Sequence, residues 1–254
     1  MSESLFLNIE NHTRFIVISD IHLKDPQDKL TELFIETITS LKEPQPIYLI
    51  GDIFEFISFK HKYFIKLWSN VFDLFESKIK EGFSIYFIEG NHDYNTLKKT
   101  SYFTWAGKEN RTVTHPLLGI IQLSHGDTII RSTSYALLRM ILKSKILGFI
   151  SLLFPGILLS EICKRFARRS RRHEKPINTN FVTENLNKRW PKGINTLMIG
   201  HIHMYFHALD TQKRSFFVSP SWQEAPSYLQ ITEKNAQRVF LNQSCEPIHI
   251  DDFL

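Results

Sequence analysis

Residues 15–22 read Phe15-Ile16-Val17-Ile18-Ser19-Asp20-Ile21-His22: four apolar residues, then a carboxylate and an imidazole two positions apart. The same arrangement recurs down the chain. Ile47-Tyr48-Leu49-Ile50 leads into Gly51-Asp52, and Ile85-Tyr86-Phe87-Ile88 into Gly90-Asn91-His92-Asp93. Ile120-Ile121-Gln122-Leu123 leads into Ser124-His125-Gly126-Asp127, and Leu197-Met198-Ile199 into Gly200-His201-Ile202-His203. Short runs rich in Ile, Val, Tyr and Phe, closed by polar residues, read as buried strands. Between the first three, Asp28 to Leu41 and Tyr63 to Lys80 are patterned as helices, of a length suited to βαβ crossovers. Strand-like segments return at Ser215 to Val218, Tyr228 to Ile231 and Arg238 to Leu241. The expectation is an α/β domain in which every polar cluster sits at the carboxyl end of a strand, the edge where open α/β sheets bind ligands.

Composition agrees with that class. The chain has 254 residues, 43% hydrophobic and 22% charged, which excludes disordered, collagen-like and coiled-coil types. Cys163 and Cys245 cannot build a disulfide framework, so a reducing compartment is expected. No signal peptide is visible, and a cytoplasmic location is expected. The net charge of +5 is unevenly spread: residues 131–175 hold 11 lysines and arginines against Glu161 and Glu174, and the remainder is slightly acidic. A localised cationic stretch points to an anionic partner, whether nucleic acid, a phospholipid surface or a phosphorylated substrate.

The clusters supply Asp20, His22, Asp52, Asn91, His125, His201 and His203. Seven such donors exceed what one catalytic ion needs and suit two ions sharing a carboxylate. In Asp-x-His and His-x-His the middle residue is expected to point away, leaving both donors on one side of an extended chain. Two ions about 3.5–4 Å apart can polarise a phosphoryl oxygen and lower the pKa of a water between them. A donor set this rich in nitrogen suits Mn²⁺, Fe²⁺ or Zn²⁺ better than Mg²⁺ or Ca²⁺ and does not choose among the three; Mn²⁺ is the ion expected. Taken singly each cluster has an ordinary reading, Asp20 as a helix N-cap or Gly51-Asp52 as a turn; five in order do not. His12, His61, His115, His173, His207 and His249 lack the setting and read as surface or packing residues.

At these positions the chain resembles the calcineurin-like metallophosphoesterases, whose pattern is Asp-x-His, Gly-Asp, Gly-Asn-His-(Asp/Glu), His and Gly-His-x-His. The resemblance implies an αββα sandwich, two mixed sheets flanked by helices. It implies that Asp20, His22, Asp52 and His203 hold one ion and that Asp52, Asn91, His125 and His201 hold the other, with Asp52 bridging. His92 becomes the histidine that contacts the phosphoryl oxygens or protonates the leaving group, held in place by Asp93. Asn91, His92 and His201 would also meet substrate.

A narrower resemblance rests on Gly51-Asp52-Ile53-Phe54-Glu55, Ser124-His125-Gly126-Asp127-Thr128, Ser221-Trp222 and an apolar-then-basic insertion. These are similar to UDP-2,3-diacylglucosamine pyrophosphatases of lipid A synthesis, which release UMP and a diacylglucosamine 1-phosphate and whose helical insertion receives acyl chains at the inner membrane. The chain departs from that group at His92, where the group shows arginine, and at Ile57-Ser58-Phe59-Lys60 and Ile130-Arg131-Ser132-Thr133, where it shows paired acids.

One domain over 1–254 is expected, with 128–190 a helical insertion. Ser132 to Lys145 reads as a helix. The uncharged stretch Ile146 to Ser160 would be about 22 Å long as a straight helix, interrupted at Pro155-Gly156, and too short for a hydrocarbon core of roughly 30 Å. Lys164, Arg165, Arg168, Arg169, Arg171, Arg172 and Lys175 follow. An apolar hairpin beside such a run reads as an interfacial lid, with 146–172 resting on an anionic membrane. Two alternatives stay open: a phosphodiesterase or phosphatase for a soluble nucleotide or another phospholipid, and a nucleic-acid-binding module. Only Phe166 interleaves the cationic run, which disfavours nucleic acid.

Overall fold

The computed structural model describes residues 9–94, 96, 100–127, 143–171, 179–210, 212, 214–222, 225–240 and 245–248. Two mixed sheets stack face to face. The larger one has the order β15(Cys245–Ile248)-β14(Ala236–Phe240)-β13(Ser227–Ile231)-β2(Phe15–Ile18)-β3(Pro46–Leu49)-β5(Ser84–Ile88)-β7(Trp105–Gly107). From β2 to β7 it is parallel, and from β13 outward antiparallel. The smaller sheet runs β1(Glu10–Asn11)-β8(Arg111–His115)-β9(Gly119–Ser124)-β10(Thr196–Ile199)-β12(Ser215–Val218)-β11(Phe206–Leu209), with β9, β10 and β12 parallel.

The continuous apolar runs are explained by burial on both faces. In β2, Phe15 and Val17 point between the sheets, where Tyr48, Tyr86, Val113, Ile121, Leu123, Met198 and Phe217 join them. Ile16 and Ile18 point the other way, into a layer with Phe34, Ile38, Val71, Phe72 and Phe75 of the covering helices. Those helices are α1(Lys29–Ser40), capped by the Asp28 carboxylate on the Thr31 N–H, α2(Lys62–Leu67) and α3(Ser69–Lys80). The outer face of the smaller sheet is covered by α6(Thr179–Arg189), whose Val182 and Leu186 are fully buried against Leu197, Ile199, Phe216 and Val218. The order of layers is therefore helix, sheet, sheet, helix, as expected.

Two expectations are corrected here. Tyr63 to Lys80 is two helices rather than one, because Trp68 leaves the helical path (φ −101°, ψ 24°) and packs against Phe54 at 5.0 Å between ring centroids. Within 128–190, α6 serves the sandwich as a covering helix, so the end of that range is not lid.

Of the helix expected at Ser132 to Lys145, residues 132–142 lie outside the described residues. The part of the expected insertion that is described forms α4(Lys145–Ser151) and α5(Gly156–Arg171), interrupted at 152–155 in keeping with the Pro155-Gly156 pair. Tyr63 packs against the Gly156 backbone so closely that a Cβ there would collide with its ring. The His61 ring meets the Phe154 carbonyl at 3.1 Å, and Leu159 packs on the core. The opposite side is apolar and open: Phe149, Leu153 and Ile157 are 65%, 71% and 66% exposed, beside Ile150, Phe154, Leu158 and Ile162. Arg168, Arg169 and Arg171 fall in the last turns of α5. Thr128, Arg172, His173, Lys175, Leu241 and His249 lie outside the described residues. Among those described, no helix is long and apolar enough to cross a membrane.

Candidate metal centre

Every predicted donor is brought to one mouth, at the carboxyl ends of β2, β3, β5, β9 and β10. They do not reach it along extended chain. Asp20, His22, Asp52, His201 and His203 have φ of +51°, +55°, +53°, +71° and +57°, and they are the non-glycine residues with positive φ among those described. Ile21 and Ile202 do point away, into the core, at 0% and 7% exposure. Left-handed backbone under a β-carbon is costly, and it persists only where surrounding structure overdetermines it. Here the bracing comes from neighbouring loops: the His22 N–H donates to the Asp52 carbonyl at 3.0 Å, and the His201 N–H donates to the Asp20 carboxylate at 2.9–3.0 Å. At Gly90 an added Cβ would strike the Asp52 carboxylate, and at Gly200 that of Asp20. Both glycines are required by that close approach.

The donors form three overlapping groups, each able to offer atoms within 4.8 Å of one another: Asp20, His22 and His203; His22, Asp52 and His92; and Asp52, His125 and His201. Asp52 belongs to two of them. Its Oδ2 lies 3.8 Å from His22 Nε2, 3.4 Å from His125 Nε2 and 3.9 Å from His92 Nε2. On one side His203 Nε2 lies 3.4 Å from Asp20 Oδ1 and 3.1 Å from His22 Nε2. On the other, His125 Nε2 lies 3.1 Å from Asn91 Oδ1 and 3.2 Å from His201 Nδ1. His125 Nδ1 faces the Ile50 carbonyl at 3.0 Å, so that nitrogen donates and Nε2 is the one turned to the mouth.

The donor chemistry fits divalent ions. Asp20 and Asp52 are buried carboxylates, and the buried His22 turns Nε2 toward Asp52 and His203 while its Nδ1 lies 3.7 Å from Glu55 Oε2. Burial alone would raise Asp52, but His125, His92 and His22 overcome it and hold its carboxyl well below the usual range. Asp20 is lowered in the same way, against burial, by His203 and His125. Burial drives His22 down to about 4, against the attraction of Asp52, so it is neutral and ready to ligate. His125 goes the other way, up to about 10, because Asp52, Asp20 and Asp127 outweigh its burial.

Asp93 does not hold His92. Its Oδ2 accepts the Asp52 N–H at 2.8 Å and the Gly90 N–H at 2.9 Å, bracing two backbones of the centre. Burial and the nearby Asp52 charge push its carboxyl up to about 7. His92 is oriented instead by the Glu55 carbonyl, 2.7 Å from Nδ1, and by its own N–H donating to Asp52 Oδ1 at 2.9 Å. The two loops are further tied by a two-residue pairing of β4(Ile57–Ser58) with β6(Asp93–Tyr94). Ser221 donates its hydroxyl to the Asp20 carbonyl at 3.3 Å, and the buried Trp222 packs on Phe34. The Gly51–Glu55 motif does not reveal Glu55 as the His92 anchor, because the group that anchors the ring is a backbone carbonyl. Nor does the sequence signal Lys143, whose Nζ donates to Glu89 and to the Gly90 and Asp93 carbonyls of the same loop. A polar cavity of about 260 Å³ opens beside His125, lined by Glu89, Lys108, Glu109, Asn110 and Asp127 among others.

The αββα fold and a mouth of shared carboxylate and imidazole donors define a metal-dependent phosphoric-ester hydrolase, and the chain belongs to the calcineurin-like phosphoesterase family, whose family model matches residues 13–205. Among curated proteins it is similar to the UDP-2,3-diacylglucosamine hydrolase of Haemophilus influenzae (strain PittGG), 29% identical over 76% of this chain and 83% of that one. It is also similar to the UDP-2,3-diacylglucosamine hydrolase of Wigglesworthia glossinidia brevipalpis, 27% identical over 86% and 91%. Among solved structures, wild-type Vps29 of Entamoeba histolytica complexed with zinc aligns at a TM-score of 0.47 and 11% identity, over 93% of this chain and 99% of that one.

Proposed function

We propose that this chain is a dinuclear-metal pyrophosphatase that splits the pyrophosphate of an acylated UDP-sugar; its curated relatives are named for hydrolysis of UDP-2,3-diacylglucosamine. The observation that carries the reading is the sharing of Asp52 between donor groups in a chain that also presents an exposed apolar helical pair. Asp20, His22, Asp52 and His203 would hold one ion and Asp52, Asn91, His125 and His201 the other, with Mn²⁺ the first candidate. When bound, such ions supply charge stabilisation to the phosphoryl group and acidify a water. The chain's own residues do the rest. His92, its side chain one-fifth exposed, presents Nε2 to the mouth while Nδ1 is tied to Glu55. From there it can bind a phosphoryl oxygen or hand a proton to the departing phosphate as water adds to the other phosphorus. Asp93 holds the Asp52 and Gly90 amides in place, and the polar cavity beside His125 gives the nucleotide side room.

The lid supports the acylated part of the reading. Its outward Phe149, Leu153 and Ile157 each gain about 1.5–3 kcal/mol if fully buried, and each lysine or arginine near an anionic surface adds about 1 kcal/mol. We place the protein at the inner face of the cytoplasmic membrane, held by 146–172, with no role for nucleic acid. Replacing Phe149, Leu153 and Ile157 together with serine tests this. Binding to anionic vesicles and turnover of UDP-2,3-diacylglucosamine should fall at least tenfold, while hydrolysis of bis(4-nitrophenyl) phosphate holds. An unchanged preference for the acylated substrate would remove the lid from the reading. His92, which stands where the pyrophosphatases show arginine, favours a second reading: a phosphodiesterase for a soluble nucleotide, recognisable by equal turnover of acylated and unacylated UDP-sugars.

A further inference from the structure

Lys143 stands just ahead of α4, in the segment that carries the lid, yet its side chain is only 7% exposed. An ammonium has three donors, and here all three are used within the metal-centre loop. Nζ donates to Glu89 Oε2 at 3.0 Å, to the Gly90 carbonyl, and to the Asp93 carbonyl at 2.9 Å. Gly90 and Asp93 bracket Asn91 and His92, so one cation ties both ends of the pair that offers a ligand oxygen and an imidazole to the mouth. Glu89 extends the grip: its Oε1 accepts both the N–H and the hydroxyl of Thr96. Taking an ammonium out of water is expensive, and an apolar side chain of similar length would fill the same space without that cost. The arrangement therefore has to be explained by what it orients.

We propose that Lys143 is a positioning residue that locks the lid-bearing segment to the Gly90–Asp93 loop, so that the Asn91 amide and the His92 ring are held in register by the same strut that anchors the lid. Asn91 Oδ1 then stays 3.1 Å from His125 Nε2, and the His92 N–H stays on Asp52. This rests on the dinuclear reading above, with Asn91 a ligand to one ion only, and it predicts an asymmetric defect when the strut is cut.

Lys143→Met keeps the length and removes all three donors. Three measurements on the full chain read the outcome. In metal-free protein, hydrogen exchange at the Asp52 and Gly90 amides should rise at least tenfold, with α1 amides unchanged. In Mn²⁺ titration, one ion should bind 10–100-fold more weakly, the range for loss of a group that orients a ligand, and the other as in the parent. With bis(4-nitrophenyl) phosphate, kcat should fall at least tenfold while KM stays within threefold. Lys143→Arg, which keeps the charge but not the compact head, should recover part of each loss. If the methionine variant does not fold, Lys143→Gln carries the same measurements. A folded variant with parental exchange, two ions at parental affinity and parental kcat overturns the proposal, as does an equal weakening of both ions. A parent that binds fewer than two ions overturns the dinuclear reading instead, and the exchange measurement still judges the strut.

Discussion

The five left-handed donors make a claim about stability that can be isolated at His203. Its side chain is 27% exposed and meets His22 and Asp20 of the same centre, while its φ is +57°. Alanine and glycine at this position lose the imidazole equally; they differ only in the β-carbon. A β-carbon in left-handed backbone costs roughly 1–2 kcal/mol, and glycine gives back about 0.4–1 kcal/mol through the greater freedom of its unfolded chain. His203→Gly should therefore be more stable than His203→Ala by about 0.5–1 kcal/mol in metal-free protein. Lys24 lies two residues beyond His22, and its φ is not positive. There the order should reverse, Lys24→Ala exceeding Lys24→Gly by about 0.4–1 kcal/mol. Urea unfolding in EDTA, compared through the midpoint at constant m, reads both differences. The same order at both positions would refute the view that the centre stores backbone strain.

Asp52→Ala should lose most of both ions along with activity, by metal analysis of the purified variant; near-normal occupancy of two would sink the bridging role. His92→Ala should keep both ions and lower kcat by about 10²–10⁴-fold, whereas His92→Arg should retain more activity if a fixed charge suffices; equal losses would show that proton transfer is needed. Asp93→Asn should outlast Asp93→Ala, since the amide oxygen can still accept the Asp52 and Gly90 N–H groups, and each buried donor left unpaired costs about 1–3 kcal/mol. The pH dependence has a definite sign. With its folded pKa raised to about 7, Asp93 favours folding below the unfolded carboxyl range and loses that contribution as pH rises to about 7. The stability of metal-free Asp93→Asn relative to the parent should thus climb between about pH 4 and 7, and a flat difference in calorimetry would contradict it.

The long apolar strands were legible because burial on both faces writes them as unbroken runs; Phe15–Ile18 and Thr196–Ile199 are covered by helices outside and by each other's sheet within. The short pairings were not. Ile57–Ser58 and Asp93–Tyr94 carry no alternation, and only the meeting of two loops makes them strands. The helix break at Trp68 was hidden for a related reason: a large apolar residue fits helical periodicity whether or not it leaves the helix. In the centre, residue type and spacing picked out carboxylates and imidazoles that the fold brings together, because a metal site demands particular atoms. The supporting contacts escaped, since the Glu55 carbonyl and the Ile50 carbonyl are backbone groups that any residue could supply. The supposed tie from Asp93 to His92 failed on adjacency: neighbours in sequence turned their side chains to different partners.

The place where the lid enters the chain has a consequence for how such a protein can diversify. β9 and β10 are parallel neighbours in register, Ile121 beside Thr196 and Ser124 beside Ile199. The chain must therefore return from one end of the pair to the other, and α6 already covers that return with Val182 and Leu186 seated on the sheet. The described helices α4 and α5 are surplus to this requirement. Such a detour behaves as a cassette: its length and chemistry can be exchanged while the ion-holding loops, which hang from other strand ends, keep their places. Lys143 is the stitch that any exchanged cassette would have to reproduce. Recombination at 127 and 179 offers a route to new substrate preferences on an unaltered hydrolytic base.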